Sequence, residues 1–288
     1  MIRQFIKTLF GSLSALTLTA CSPVTLLNAM VPESAYQHRS DLVYGEYDRL
    51  KLDVYQPVHS VDSQKPATVI FFYGGGWEAG EKANYKFVAE ALTSHGMIVV
   101  IPDYRVFPEA VFPEFIEDAA QAVAWTRKHI AEFGGDPEQL FIAGHSAGAQ
   151  IAAMLSVNPR YLQQAGLETK QLRGMIGLAG PYDFLPLTSP TLKQIFGDDA
   201  SQWQSQPVNF VGEDHPPTLL LVGNNDRTVL PRNSYRFAEK LKQYGNDVEI
   251  VELSNYGHVA MVAKLAKPLR GDGALLIPIV NFVQQHRH

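Results

Sequence analysis

The chain has 288 residues, 46% of them hydrophobic and 18% charged, with a formal net charge of −5. That is an ordinary globular composition with room for one large or two small cores, and it excludes a disordered chain. The acidic balance gives no electrostatic case for nucleic acid or an anionic membrane surface as partner. The single cysteine, Cys21, excludes an intrachain disulfide and any cysteine-built metal site.

Residues 1–20 read as an export signal. Arg3 and Lys7 supply a basic start, and Leu9 to Leu18 is an apolar run too short to span a bilayer comfortably. The run ends Leu18-Thr19-Ala20-Cys21, which resembles the lipobox of bacterial lipoproteins. The resemblance implies that Cys21 is lipidated and becomes the new N-terminus, holding the protein at the cell envelope. Ser22 in second place then points to the outer rather than the inner membrane. An ordinary cleaved signal with an incidental cysteine is the plainer alternative. Residues 21–39 read as a tether, with one folded domain expected over 40–288. Ser40 to Tyr47 and Leu50 to Tyr55 alternate on either side of Asp48-Arg49, as an antiparallel hairpin at a sheet edge would, stopped by Pro57.

Ala67 to Tyr73 is a continuous apolar strand, the pattern of a strand covered on both faces. It runs into Gly74-Gly75-Gly76-Trp77. A glycine run after a central strand lets backbone N–H groups converge on an anion without side chains in the way. Phosphate binding is the weaker alternative, since no Lys-Ser/Thr follows and dinucleotide spacing is lacking. Met97 to Tyr104 is the next buried strand, and Pro113 to Ala131 a helix with Ile116, Ala119, Ala120, Val123 and Ile130 on one face. Gly134-Gly135-Asp136-Pro137 stops it.

The chemistry centres on Gly144-His145-Ser146-Ala147-Gly148, between the apolar run 139–143 and a helix-compatible stretch, 150–155. Strand, sharp turn and helix around Gly-x-Ser-x-Gly lift a serine clear of its neighbours. A hydroxyl is a weak nucleophile until a base takes its proton and an acid orients that base. Asp226 follows the strand beginning at Thr218, and His258 follows the alternating strand Val248 to Leu253 and the turn Asn255-Tyr256-Gly257. Both sit past the C-terminal ends of strands, where open parallel sheets build their sites. Leu172 to Ala179 is a further strand, Pro231 to Tyr244 a helix, and Ala274 to Gln284 a closing helix despite Pro278. Residues 181–216, rich in Pro, Asp, Ser and Gln, break the rhythm and read as a small cap over the C-terminal edge. The alternation specifies an α/β fold: a mostly parallel central sheet with helices on both faces and a cap insertion.

Together, Tyr73-Gly74-Gly75-Gly76-Trp77, Asp103-Tyr104-Arg105, Gly134-Gly135-Asp136-Pro137, Gly144 to Gly148, Asn225 to Val229 and Gly257-His258 make the chain resemble an α/β-hydrolase. The group is the carboxylesterases related to hormone-sensitive lipase, and the resemblance covers roughly residues 40–285. It implies Ser146 as nucleophile, His258 as base and Asp226 as orienting acid. It also implies an oxyanion hole from the amides of Gly74, Gly75, Gly76 and Ala147, and no cofactor. Trp77 and His145 are candidate pocket residues; His145 is also read as a turn residue whose side chain diverges from Ser146. Asp103 is expected to bond locally, with Arg105 a candidate partner. The family usually has His before the glycines, bracing the loop through hydrogen bonds; here Tyr73 takes that place. The expected substrate is a short-chain or carbohydrate-linked ester of acetyl or feruloyl type. An arylformamidase-like N-formyl hydrolase and a non-catalytic envelope binding module are the alternatives. No metal site is expected.

Overall fold

The computed structural model describes residues 27–59 and 64–287; the expected signal and Cys21 lie outside them. Eight strands among the described residues form one sheet: β1 (Tyr36–Val43), β2 (Lys51–Pro57), β3 (Thr68–Phe72), β4 (Ile98–Pro102), β5 (Leu140–His145), β6 (Leu172–Leu178), β7 (Thr218–Gly223) and β8 (Val248–Leu253). Their order is β1-β2-β4-β3-β5-β6-β7-β8. β1–β2 and β2–β4 are antiparallel, and every other pair is parallel. All residues of β3, β4, β5 and β7 are buried. Layers on both faces are needed to achieve that, so these strands read as unbroken apolar runs. β1, at the edge, is exposed along most of its length.

The layers are helices: α1 (Lys86–Thr93), α2 (Glu114–His129), α3 (Ala147–Val157), α4 (Pro159–Gln164), α5 (Pro190–Phe196), α6 (Arg232–Gln243), α7 (Ala260–Ala263) and α8 (Leu276–His286). α3 lies so close to the sheet that only glycine fits at the contact. A Cβ on Gly148 would stand 2.0 Å from the carbonyl oxygen of Phe72, and one on Gly144 2.2 Å from that of Gly148. Pro278 sits in the first turn of α8, where its missing N–H has no helical partner to lose.

Three expectations change. β1 begins at Tyr36, inside the stretch expected to be tether, and Leu27 is already buried in the core. β2 runs through Pro57 rather than stopping before it. α1 joins β3 to β4 where no helix was expected; its inner face, Phe87, Val88, Ala91 and Leu92, is fully enclosed.

Residues 181–216 contain α5 and two short 3-10 turns, Gln202–Ser205 and Pro207–Phe210. The segment is fastened to α3, with Gln150 Nε2 donating to the carbonyl of Ser205 at 2.8 Å. It is fastened again where the Phe112 amide donates to the carbonyl of Ile195 at 2.9 Å.

Candidate active site

Loops leaving the C-terminal ends of β3, β5, β7 and β8 meet at one edge of the sheet. Ser146 lies between β5 and α3 with φ 56° and ψ −122°, a strained conformation for a residue with a Cβ. It persists because both its backbone groups are held. Its amide donates to the carbonyl of Leu178 at 3.0 Å, and its carbonyl accepts the amide of Ala149 at 2.9 Å. The turn therefore aims the side chain outward.

Ser146 Oγ lies 2.8 Å from His258 Nε2, and His258 Nδ1 lies 2.7 Å from Asp226 Oδ2. The other carboxylate oxygen, Oδ1, accepts the amides of Thr228 and Val229, each at 2.9 Å. Burial, the largest single influence, raises the Asp226 pKa, but the hydrogen bonds from His258, Val229 and Thr228 together outweigh it and leave the carboxyl below its ordinary range. An ionised carboxylate can thus hold the imidazole with Nδ1 protonated and Nε2 free to accept the serine proton. The three residues named from chain order are brought together in the chain order expected.

His145 does line the cavity, and its role is specific. It is 5% exposed, and its Nε2–H donates to the backbone carbonyl of His258 at 3.0 Å. The two imidazole rings are 4.8 Å apart. Burial first, and then the nearby His258, push the His145 pKa down to about 3, so the ring stays neutral. The same ring abuts the glycine loop: a Cβ on Gly74 would stand 3.0 Å from both His145 Nδ1 and Ser146 Cβ. Gly75 and Gly76 have φ 144° and 63°, and a Cβ at Gly75 would stand 2.0 Å from the carbonyl oxygen of Ala79. The amides of Gly75, Gly76 and Ala147 donate to no other backbone group among the described residues.

The Tyr73 hydroxyl, in place of the family histidine, is fully buried and donates to Asp103 Oδ1 at 2.8 Å. Arg49 Nη2 donates to that hydroxyl at 3.1 Å and also to the carbonyl of Gly80. Asp103 Oδ1 accepts the amide of Lys82 at 2.7 Å, and the Tyr104 hydroxyl donates to the Tyr73 carbonyl at 2.7 Å. The ring is stacked between Tyr85 and Tyr104. Burial raises the Asp103 pKa, with these bonds working against it. The glycine loop is thus clamped at both ends by a polar network around one tyrosine. Asp103 does not pair with Arg105, as was expected; Arg105 binds Asp118, Nη2 to Oδ1 at 2.8 Å.

Trp77 is corrected as well. It is 5% exposed and packs against Phe115, Phe184 and Phe196, with Nε1–H donating to Gln150 Oε1 at 3.2 Å. It wedges the glycine loop against α3 and the 181–216 segment and is not among the residues lining the cavity. The cavity, of about 420 Å³, is walled by Gly74, Gly75, Gly76 and Gly80, by Asn84 and Tyr85, by His145 and Ser146, and by Thr228, His258, Val259 and Val262. No residue of 181–216 lines it, so the segment packs beside α3 rather than capping the mouth. Asn84, Tyr85, Thr228 and Val262 were missed by sequence reasoning, because nothing local marks a residue that only tertiary folding brings to the nucleophile.

A family model described as BD-FAE matches residues 52–241. The probable isoprenylcysteine alpha-carbonyl methylesterase ICMEL1 of Arabidopsis thaliana is 30% identical over 261 residues, covering 83% of this chain and 54% of that protein. The probable carboxylic ester hydrolase LipM of Mycobacterium tuberculosis is 33% identical over 232 residues, covering 72% of this chain and 52% of its own. The chain thus spans about half the length of these curated relatives. Among solved structures, Thermogutta terrifontis esterase 2 superposes with a TM-score of 0.73 at 24% identity, covering 88% of this chain and 96% of that one. That esterase has also been solved with butyrate and with propionate bound. The family match runs from β2 into α6, well over half of the sequence, and on that ground the chain belongs to the BD-FAE family, with an α/β-hydrolase fold.

Proposed function

We propose that the protein is a serine carboxylic-ester hydrolase, and the observation that carries this is the continuous chain Ser146–His258–Asp226 at the cavity. His258 Nε2 takes the proton from Ser146 Oγ as that oxygen attacks the acyl carbonyl. Asp226 holds the imidazole and stabilises its protonated form. Negative charge on the former carbonyl oxygen falls to the amides of Gly75, Gly76 and Ala147, with Gly74 shaping the approach; losing one such donor costs about 3 kcal/mol of barrier. His258 returns the proton to the departing alcohol, then activates the water that releases the acid.

The substrate proposed is a short-chain acyl ester. The cavity is small, Tyr85, Val259 and Val262 provide apolar wall, and a structural neighbour accommodates butyrate and propionate. Among the described residues, none of 181–216 lines the cavity, which leaves room for a bulky alcohol such as a carbohydrate. Export and lipid attachment through Cys21, placing the enzyme at the cell envelope, belong to the same proposal. The test compares residues 22–288 with the same chain carrying Ser146→Ala on p-nitrophenyl esters from acetate to decanoate, acetylated xylan and methyl ferulate. Turnover confined to the parent and strongest on short acyl groups is expected. A folded parent that cleaves no ester would sink the reading.

A further inference from the structure

Leu27 and Asn28 lie beside a segment that walls the cavity. Leu27 is buried in the core, and the adjacent Asn28 donates from Nδ2 to the carbonyl of Ala83. Ala83 immediately precedes Asn84 and Tyr85, both of which line the cavity. Cys21 lies seven residues before Asn28, and seven residues reach at most about 25 Å even when fully extended. A domain of about 260 residues has a radius of gyration of about 18 Å, so its far pole is roughly 45 Å away in a straight line and further around the surface. We infer that, once Cys21 carries lipid, the active-site mouth faces the bilayer, because the tether is too short to bring the opposite pole to the membrane. This rests on the lipid attachment at Cys21 proposed above.

Val259 lines the cavity, and two further exposed apolar side chains, Met30 and Leu230, lie on segments adjoining it. Met30, Leu230 and Val259 are 55%, 42% and 58% exposed. Met30 follows Asn28 by two residues, Leu230 lies on the loop that carries Asp226, and Val259 adjoins His258. Apolar side chains at such a rim settle into the headgroup region of a lipid surface. Exposed Glu78 and Glu81 on the glycine loop, together with the net charge of −5, favour a zwitterionic surface over an anionic one. A substrate carried at the bilayer then approaches Ser146 from the membrane side.

The test uses residues 21–288, in which Cys21 is the sole thiol, coupled to maleimide-headgroup lipid in phosphatidylcholine vesicles containing dansyl-phosphatidylethanolamine. Energy transfer to dansyl is compared for Val259→Trp, at the rim, and Gln285→Trp, after subtracting the native tryptophans. Gln285 is exposed near the end of α8, where Arg287 donates to the carbonyl of Lys65, at the opposite sheet edge. Transfer several-fold greater from position 259 is expected. Inserting about 30 Gly/Ser residues after Ser22, with a mean span of ~30 Å, narrows the gap. Equal or reversed transfer with the native tether overturns the orientation; a gap that survives the longer tether overturns the tether's part in it and leaves the exposed apolar side chains as its cause. Neither readout needs turnover, so failure of the ester-hydrolase reading leaves this result intact. Separately, a full-length parent that incorporates no labelled fatty acid when expressed in a bacterium overturns the attachment and, with it, the orientation.

Discussion

Tyr73→Phe removes one oxygen and leaves the aromatic stack between Tyr85 and Tyr104 in place. Two hydrogen bonds go with it: the donor to the Asp103 carboxylate at 2.8 Å and the acceptor for the Arg49 guanidinium at 3.1 Å. Both involve a charged partner, and the site is fully buried, so the loss should cost about 2–4 kcal/mol of stability. For a domain of this size that lowers Tm by about 5–15 °C. The catalytic effect has a ceiling near that of losing one oxyanion donor, about 3 kcal/mol. It should fall short of the ceiling, because the glycine loop keeps the Tyr104–Tyr73 bond and the Lys82–Asp103 bond. The Tyr73 ring also still abuts Gly80, where a Cβ would stand 2.7 Å from it. An expected loss of about 1.4–2 kcal/mol corresponds to kcat for p-nitrophenyl acetate reduced roughly 10- to 30-fold, with KM little changed. Thermal unfolding and steady-state kinetics on the same preparation read both quantities. A variant destabilised by the stated amount but with kcat within about twofold of the parent would show that the network supports the core and not the oxyanion loop, refuting the reasoning.

Asp226→Asn keeps an acceptor for the Thr228 and Val229 amides but turns an amide donor toward His258 Nδ1, trapping the wrong tautomer; kcat should fall by about 10⁴ with the fold retained. The same variant checks a linkage effect. Because the folded Asp226 pKa lies below its ordinary 3.8, its stabilising contribution is present above that value and is lost as pH falls through the folded value. The parent should therefore lose stability relative to Asp226→Asn below about pH 4, and parallel acid-unfolding curves would contradict this. His145→Phe keeps a ring but deletes the donor to the His258 carbonyl, whereas His145→Gln keeps a donor of similar reach. Phe should lower kcat about tenfold at constant KM and Gln should restore most of it, while the parent His145 shows no NMR titration across neutral pH, in keeping with a pKa near 3. Equal kcat in the two variants would remove the positioning role.

The central strands were legible because burial on both faces leaves an unbroken apolar run; Ser146 and Asp226 were legible because each lies just past such a run, and His258 because it follows the last, alternating strand and its turn. The hairpin was harder. Its edge strand is exposed from Gln37 to Asp41, so no alternation marks where β1 begins. α1 was missed because Phe87, Val88, Ala91 and Leu92 span barely two turns, too little to set a helical period apart from a buried strand. Asp103 bonds across space to the Tyr73 hydroxyl and the Lys82 amide, and Arg105 to Asp118, thirteen residues on. Proximity in sequence suggested the wrong partner for both. Trp77 illustrates a different gap. Its place beside the glycines suggested substrate contact, yet its φ of 62° turns it inward, and a positive φ at a non-glycine residue leaves no trace in sequence.

The position of residues 181–216 bears on how water is kept from the reaction. Many hydrolases close a lid over the bound ester, and the lid dries the oxyanion hole before charge develops. In this protein the segment that could have served is fixed to α3 through Gln150 and Ser205, and no part of it reaches the cavity. Under the proposed mechanism, with nothing else among the described residues closing over the cavity, the ester would act as its own lid, its alcohol portion covering Gly75, Gly76 and Ala147 as the acyl group enters. Substrate size becomes a source of rate as well as of affinity: a bulkier alcohol that shields the hole raises kcat, and a bare methyl ester leaves the developing charge partly in water.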